Sequence, residues 1–393
     1  MMRNTAVGID IGTYQIKVVV SELVKENNKN ITRVLGTGLA ESRGLRHGYV
    51  VNSDDVIESI KTAVGLAEKT SGIKIHKAFI AVGGIGLSGV TGTASTVIGR
   101  ADLQITELDI EKLTEICEEG LPASLTQNHR ILHSIPLSYK IDGKVVLAKN
   151  PTGMKGTKLE VKMLFITCLE PHLNDLLEAV DEAGIEYIDV MASPIAASFV
   201  TLSRSQKTAG SVLANIGAET ISIVVFENNI PISLEVFPIG STDITNDIAL
   251  GLKIPIEEAE NIKIGGLGTS SFSKKRLEEI VSARLYDMFE LIENHLKKIG
   301  RNGLLPAGIF IAGGGGGIGA VEDFAKTTLK LPSRVAAITL GDQKNPAKDP
   351  IWVVAYGLCM LGLSKEEKIN VGLRDTMNKA GGKISKWIGQ FLP

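Results

Sequence analysis

The sequence is short of several residue types, and each shortage excludes a class of protein. Aromatic residues make up only 5% of the 393 residues, and the three cysteines, Cys117, Cys168 and Cys359, lie far apart. Three scattered cysteines form neither a disulfide framework nor a zinc site, so we expect a reducing compartment. Lysine and arginine (42) nearly balance aspartate and glutamate (44), which argues against a large basic surface for nucleic acid.

Long apolar runs are also missing. No run approaches the roughly 20 residues that a membrane-spanning helix needs, and a first strand predicted from about Ala6 leaves no room for a signal peptide. We therefore expect a soluble, cytosolic body. The chain is too long for one hydrophobic core, which predicts at least two domains. Glycine, by contrast, is plentiful at 42 residues and suits many tight turns close to a ligand.

Two stretches, residues 7–20 and 212–225, read like copies of each other. At a constant offset, Asp10 falls on Asn215 and Gly12 on Gly217. Each stretch is an apolar strand, a glycine turn and a second strand rich in β-branched residues, which predicts a hairpin. Glycine lets a ligand approach the backbone, and the N–H groups of such a turn can cradle phosphate oxygens. Asp10, where the first strand ends, could order the water shell of a Mg²⁺ ion.

A third glycine-rich segment, residues 308–319, follows an apolar strand and precedes a helix predicted from Ala320 to Leu329. Glycines between a strand and a helix N-terminus are typical of an anion or nucleotide platform. The sequence pattern of residues 85–164 differs from that of the stretches around it and predicts a small α+β insertion. Within it, Pro136 marks an edge strand or a bulge. The spacing G-x-G-x-x-G at residues 84–89 precedes strand sequence rather than a helix, so we interpret it as a turn.

These features in this order resemble the actin-like ATPase superfamily and, more narrowly, the FtsA family of bacterial cell-division proteins. The motifs that carry the resemblance are residues 8–13 (GIDIGT), 238–252 (PIGSTDITNDIALGL) and 257–263 (EEAENIK), supported by 42–45 (SRGL) and 283–285 (ARL). The resemblance implies an α/β, ribonuclease H-like duplicated fold whose two halves close on ATP and Mg²⁺. It also implies subdomain 1A at 1–84 and 165–197 around an inserted subdomain 1C at 85–164. Subdomain 2A at 198–242 and 304–363, with a closing helix, would surround 2B at 243–303, followed by a linker at 364–371 and an amphipathic helix at 372–393.

The resemblance further implies an ATP site by position. Its residues are Gly12, Thr13, Tyr14 and Lys17 from the first hairpin; Gly217, Ala218, Glu219 and Thr220 from the second; Glu260 and Lys263 at the ribose and adenine edge; and Gly313, Gly314, Gly315 and Gly316 beneath the base. FtsA-like proteins usually carry Asp where this chain has Asn215, and an amide brings no charge to Mg²⁺ and cannot act as a carboxylate base. We therefore expect nucleotide binding with at most slow hydrolysis, and we assign no catalytic residue.

The last stretch predicts a helix that lies on a membrane surface. Its lysines lie mainly off an apolar stripe at helical spacing that is formed by Leu373, Met377, Ile384, Trp387, Ile388 and Phe391. A helix docked on the protein's own core or on a partner is the alternative. Together with the resemblance, the pattern predicts a peripheral protein on the inner face of the cell membrane at the division site.

The resemblance implies two protein partners, further copies of the chain in a filament and the C-terminal tail of the tubulin-like FtsZ. We expect Arg284 to bind that acidic tail through charge-assisted bonds; an arginine on a solvated helix face is the alternative. Two other functions stay open: a PilM-like pilus-assembly protein, which shares the fold and the insertion, and a small-molecule kinase of the same superfamily. A kinase needs a catalytic carboxylate, and Asn215 stands where one is wanted.

Overall fold

The first half of the chain begins with an antiparallel meander, because its β-branched runs alternate with tight turns. The computed structural model describes residues 4–26, 29–148, 150–266, 273–319, 321–336, 338–340 and 347–370. Asn52 caps the first helix, since its side chain accepts a hydrogen bond from the Asp55 N–H at 3.4 Å. The elements before the insertion are β1 (Thr5–Ile11), β2 (Gln15–Glu26), β3 (Lys29–Glu41), β4 (Leu45–Arg46), β5 (Tyr49–Val50), α1 (Ser53–Ser71) and β6 (Lys77–Val82).

The insertion is an antiparallel sheet with a helix packed on one face. Its elements are β7 (Leu87–Val97), α2 (Glu107–Glu119), α3 (Ala123–Thr126), β8 (His129–Ile141), β9 (Lys144–Val146) and β10 (Lys158–Leu169), and the strand order is β7-β10-β8-β9. The register between β8 and β10 shifts at Pro136, which confirms the predicted bulge. Residues 84–86 turn directly into β7, so the G-x-G-x-x-G spacing is a turn, as interpreted.

The chain then returns to the first half and builds the second. The elements are α4 (Glu170–Glu182), β11 (Glu186–Ala192), α5 (Ser193–Thr201), α6 (Arg204–Ala209), β12 (Ser211–Ile216), β13 (Ile221–Glu227), β14 (Ile230–Phe237), α7 (Ser241–Leu252), α8 (Ile256–Lys263), α9 (Lys274–Lys298), β15 (Gly308–Ala312), α10 (Val321–Leu329), β16 (Ser333–Val335), β17 (Thr339–Leu340), β18 (Ala347–Lys348) and α11 (Val353–Asn370). Two 3-10 turns, Gly314–Gly317 and Pro350–Trp352, precede α10 and α11.

The two large sheets have the same strand order and directions. One runs β3-β2-β1-β6-β11 and the other β14-β13-β12-β15-β16. In each, the central strand pairs antiparallel with its hairpin partner and parallel with the next strand, β1 with β6 and β12 with β15. The duplicated, two-half α/β fold that the resemblance implied is therefore confirmed.

Helices α5 and α11 form a floor that both halves share. One buried cluster joins Ala196 and Leu358 from these helices to Val19 of the first sheet and Leu213 of the second. At the helix crossing, a Cβ added to Gly357 would lie 1.9 Å from the Ala196 carbonyl oxygen, so glycine lets the two backbones touch. The halves are thus held together below, and the cleft between them lies above this floor.

Helix α11 is longer than predicted. It continues to Asn370, so residues 364–370 are helical where the sequence predicted a linker. The stretch SKEEKIN lacks glycine and proline, and Lys and Glu favour helix, so its charge was a poor signal of a helix end. Residues 371–393, which include the predicted membrane helix, lie outside the described residues. Within the described ranges, no helix is long and apolar enough to cross a membrane.

Candidate functional site

A cavity lies between the two halves, and both hairpin turns reach its wall. Thr13 and Tyr14 line it from the turn between β1 and β2, while Ala218 and Thr220 line it from the turn between β12 and β13. The equivalent edges of the two duplicated sheets thus meet at one place. The resemblance to actin-like ATPases implied that the two hairpins face one site.

The first hairpin carries the charge of the site. Asp10 lies opposite Lys17 in the β1–β2 register, and their charged atoms are 3.5 Å apart. Both side chains are largely buried, so burial raises the pKa of Asp10, and the Lys17 ammonium partly offsets that rise. A Cβ built on Gly12 would lie 3.8 Å from Lys17 Nζ, which puts a cation beside the glycine turn where phosphate would be cradled.

The second hairpin is neutral at the same two positions. Asn215 lies opposite Ser222 as Asp10 lies opposite Lys17, and all four residues line the cavity. Glu219 departs from its predicted place, because its carboxylate turns to the loop between β4 and β5. There its Oε2 accepts a hydrogen bond from the His47 N–H at 2.5 Å.

The third glycine-rich segment contributes two of its four predicted residues to the cavity wall, Gly313 and Gly314. Gly313 has φ 81°, and a Cβ there would lie 2.5 Å from Asn215 Oδ1, so only glycine fits. Gly315 and Gly316 are buried in the protein beside Ile216 and Ile311 instead. The run forms a 3-10 turn, and α10 (Val321–Leu329) follows it, so the predicted order of strand, glycines and helix is confirmed.

Glu260 and Lys263 lie behind the cavity wall rather than in it. They form an ion pair at 2.7 Å, and Lys263 Nζ also donates to the Ser241 carbonyl oxygen at 3.2 Å. Thr245 Oγ1 donates to Glu260 Oε2 at 2.6 Å. Since Ser241 lines the cavity, the pair supports the start of α7 beside the wall.

Sequence reasoning missed several residues of the wall. Gly83 and Gly84 end β6 as Gly313 and Gly314 follow β15, so the same signal could have found them. His172 on α4 carried no comparable signal. Its Nε2–H donates to the Gly83 carbonyl oxygen at 3.1 Å, and burial lowers its pKa, so the ring is neutral at pH 7. Its buried Nδ1 has no hydrogen-bond partner in the described part of the chain and is left as an acceptor.

The donor atoms of the site suit a nucleotide better than a protein-held metal. The described residues contain no group of three or more His, Cys, Asp or Glu side chains that could hold a metal ion. Among the described residues of the wall, Asp10 supplies the one carboxylate. Mg²⁺ that is bound to phosphates keeps several waters, and Asp10 fits as an acceptor for such a water. Lys17 and the open glycine turns fit the phosphates.

Arg284 lies on α9 and is engaged inside the protein. Its Nε and one terminal nitrogen donate to the two Asp247 carboxylate oxygens at 2.6 and 3.0 Å, and this bonding raises the pKa of the guanidinium. About a quarter of each side chain is exposed, at 28% and 29%. Any acidic partner that binds Arg284 has to compete with Asp247.

Two family models match the chain. The model described as cell division protein FtsA matches residues 212–357, and the model described as the SHS2 domain inserted in FtsA matches residues 86–167. Together they match more than half of the chain. The second match coincides with the inserted sheet from β7 to β10.

The relatives are cell division proteins, and the solved structures share the fold. The chain is 28% identical to the cell division protein FtsA of Pseudomonas aeruginosa, over 92% of this chain and 89% of that protein. It is 29% identical to the FtsA of Bacillus subtilis, over 90% of this chain and 82% of that protein. In fold it is similar to a PilM-PilN type IV pilus biogenesis complex, with TM-score 0.68, 17% identity and 91% of this chain and 98% of that chain covered. It is also similar to MreB5 of Spiroplasma citri bound to ADP, with TM-score 0.54, 12% identity and 94% and 99% covered. At these identities, the two solved structures support the fold alone.

Proposed function

The chain belongs to the FtsA family of actin-like bacterial cell-division proteins, and from this we propose that it binds ATP with Mg²⁺ between its two halves. One observation carries the proposal. The turns at Gly12 and Gly217, which come from duplicated sheets, line one cavity beside the largely buried cation Lys17. Backbone N–H groups of glycine turns bind phosphate oxygens, and the ammonium balances their charge. Asp10 would accept a hydrogen bond from water on the Mg²⁺ that accompanies the phosphates.

The kinase alternative has less support. A kinase uses a carboxylate to accept a proton from its substrate. Among the described wall residues the one carboxylate is Asp10, which is paired with Lys17, and Asn215 is neutral. The PilM-like alternative shares the fold. The two family models, and relatives that match over most of their length, favour cell division instead. We propose slow hydrolysis for the same reason, since a site without a free carboxylate suits a nucleotide-gated switch.

We further propose that the protein assembles on the membrane and tethers the FtsZ ring. The apolar stripe that ends in Trp387, Ile388 and Phe391 would enter the lipid interface, where burial is worth about 25 cal/mol per Å². One such helix binds reversibly, so stable attachment needs many copies side by side, which a filament supplies through avidity. Nucleotide would then favour the filament, and the filament would favour the membrane.

The ATP site is tested by filling the cavity without straining the fold. A Cβ on Gly314 meets no atom within 4 Å and faces the cavity, whereas one on Gly12 would meet the Gln15 carbonyl oxygen at 3.0 Å. Gly314→Val should therefore weaken the binding of ATP with Mg²⁺, measured by calorimetry, at least about tenfold, because the side chain occupies ligand space. Gly317→Val is the matched control: it lies in the same turn, is also open, and is not part of the wall. Equal affinities for the two variants would contradict the site.

A further inference from the structure

The loop between β3 and α1 is anchored on the wall of the cavity. We call residues 44–50 the clasp loop. Its backbone turns sharply, with positive φ at Gly44, His47 and Gly48 (76°, 50° and 88°). Gly48 packs so closely on Gly84 that a Cβ on Gly48 would lie 2.5 Å from the Gly84 Cα. The Ile85 N–H also donates to the His47 carbonyl oxygen at 3.2 Å. Gly48 and Gly84 both line the cavity, so the loop and this wall move together.

The same loop reaches the other half of the protein. The His47 N–H donates to Glu219 Oε2 at 2.5 Å, and His47 Nδ1 lies 3.2 Å from the Glu219 carbonyl oxygen. A carbonyl oxygen only accepts, so Nδ1 carries the proton in this contact. The two side chains are 35% and 26% exposed, and hydrogen bonds to a carboxylate gain strength when they are partly shielded from water.

We propose that His47 and Glu219 form a clasp that holds the two halves closed over a bound nucleotide and sets how fast the nucleotide leaves. The proposal rests on the proposed function. Glu219 follows Gly217 and Ala218, which line the cavity on the second half, and His47 precedes Gly48, which lines it on the first. A ligand that touches both walls brings His47 and Glu219 close enough to bond to each other. The clasp in turn has to open before those walls can separate.

Thermodynamic linkage makes this relation reciprocal. Any contact that forms only in the closed state raises the affinity for a ligand that prefers the closed state, by the same factor as the ligand favours the contact. The floor formed by α5 and α11 joins the halves below the cavity, and the clasp joins them at a second place, beside the cavity wall. Its loss should appear chiefly in the dissociation rate.

The test measures release of a fluorescent ADP analogue, in the presence of Mg²⁺, by stopped flow. Glu219→Ala should release the analogue about five- to tenfold faster, because a charge-assisted bond between the halves is lost, with association changed much less. Glu219→Gln keeps an acceptor and should fall between Glu219→Ala and wild type. Glu227→Ala is the control: it removes a carboxylate at the other end of β13 that Arg301 binds at 2.8 Å, and should leave release unchanged.

Release rates that match between wild type and Glu219→Ala would overturn the clasp. A second measurement separates this result from failure of the ATP site. Hydrogen exchange of residues 44–50, without nucleotide, should speed up in Glu219→Ala because the His47 amide loses its acceptor. If wild type binds no nucleotide, the proposed function fails. If the hydrogen exchange of residues 44–50 is also unchanged in Glu219→Ala, the contact between His47 and Glu219 is overturned as well.

Discussion

Replacing Gly357 by alanine should loosen the floor that joins the two halves. The new Cβ would lie 1.9 Å from the Ala196 carbonyl oxygen, about 1.5 Å closer than ordinary contact allows. Because the obstacle is backbone, α5 and α11 have to separate. Overpacking of this kind costs about 3 kcal/mol at the upper end of its range, while the better helix propensity of alanine returns about 1 kcal/mol. The net loss of unfolding free energy should be about 2 kcal/mol.

Gly65 on α1 provides a control of opposite sign. Its Cβ would meet nothing within 4 Å, so Gly65→Ala should gain about 0.5–1 kcal/mol from propensity alone. In urea unfolding followed by circular dichroism, the midpoint should fall for Gly357→Ala and rise for Gly65→Ala. Val354 at the start of α11 lines the cavity, so ATP binding should weaken only in Gly357→Ala. A Gly357→Ala midpoint equal to that of wild type would refute the close crossing of α5 and α11.

Further changes test four other parts of the molecule. Asn215→Asp should speed ATP hydrolysis, measured as phosphate release, if the missing carboxylate limits turnover; wild type that already works at kinase rates would contradict this. Arg284→Ala should weaken binding of an acidic FtsZ-tail peptide in fluorescence anisotropy, and Asp247→Asn should tighten it by freeing the guanidinium; no change in either leaves Arg284 as a structural residue. Trp387→Glu should release the protein from anionic vesicles in sedimentation without altering ATP affinity, and a chain ending at Lys365 that still sediments would exclude the tail as the anchor. Burial lowers the pKa of Lys207 to about 8 from 10.5. Between these two pH values the unfolded chain binds more protons than the folded one, so the unfolding free energy of wild type should rise with pH there, and in urea unfolding Lys207→Met should flatten that rise.

The parts of the fold that local pattern decides were predictable. A glycine between two β-branched runs specifies a hairpin within about a dozen residues, so Gly12 and Gly217 were found from the sequence. The repeat also placed the second hairpin, because its pattern matches that of the first. The insertion was recognised in the same way, since its strand-rich sequence interrupts a regular alternation of strands and helices.

The destinations of long charged side chains were not predictable. Glu219 follows a phosphate turn in sequence, yet its partner His47 lies far away in the chain, and only the fold brings them together. Lys263 likewise turns to Ser241 and Glu260 instead of the cavity. The end of α11 was missed for a different reason: a run of Lys and Glu suits a helix as well as a linker. Sequence pattern therefore located the turns, but not which side chains fill the space between them.

The buried pair in the first hairpin also constrains how this sequence can change. Removing Lys17 alone would leave Asp10 largely buried without its cation, and removing Asp10 alone would leave the ammonium with only the Gln15 carbonyl oxygen at 3.4 Å; breaking a buried pair in this way typically costs about 3–5 kcal/mol. The second half shows that the neutral combination, Asn215 with Ser222, fits the same frame. The two positions are therefore epistatic. A scan of single substitutions would report that neither position tolerates change, although the same backbone accepts a neutral pair. The sequence can therefore pass from the charged pair to a neutral pair only if both residues change together.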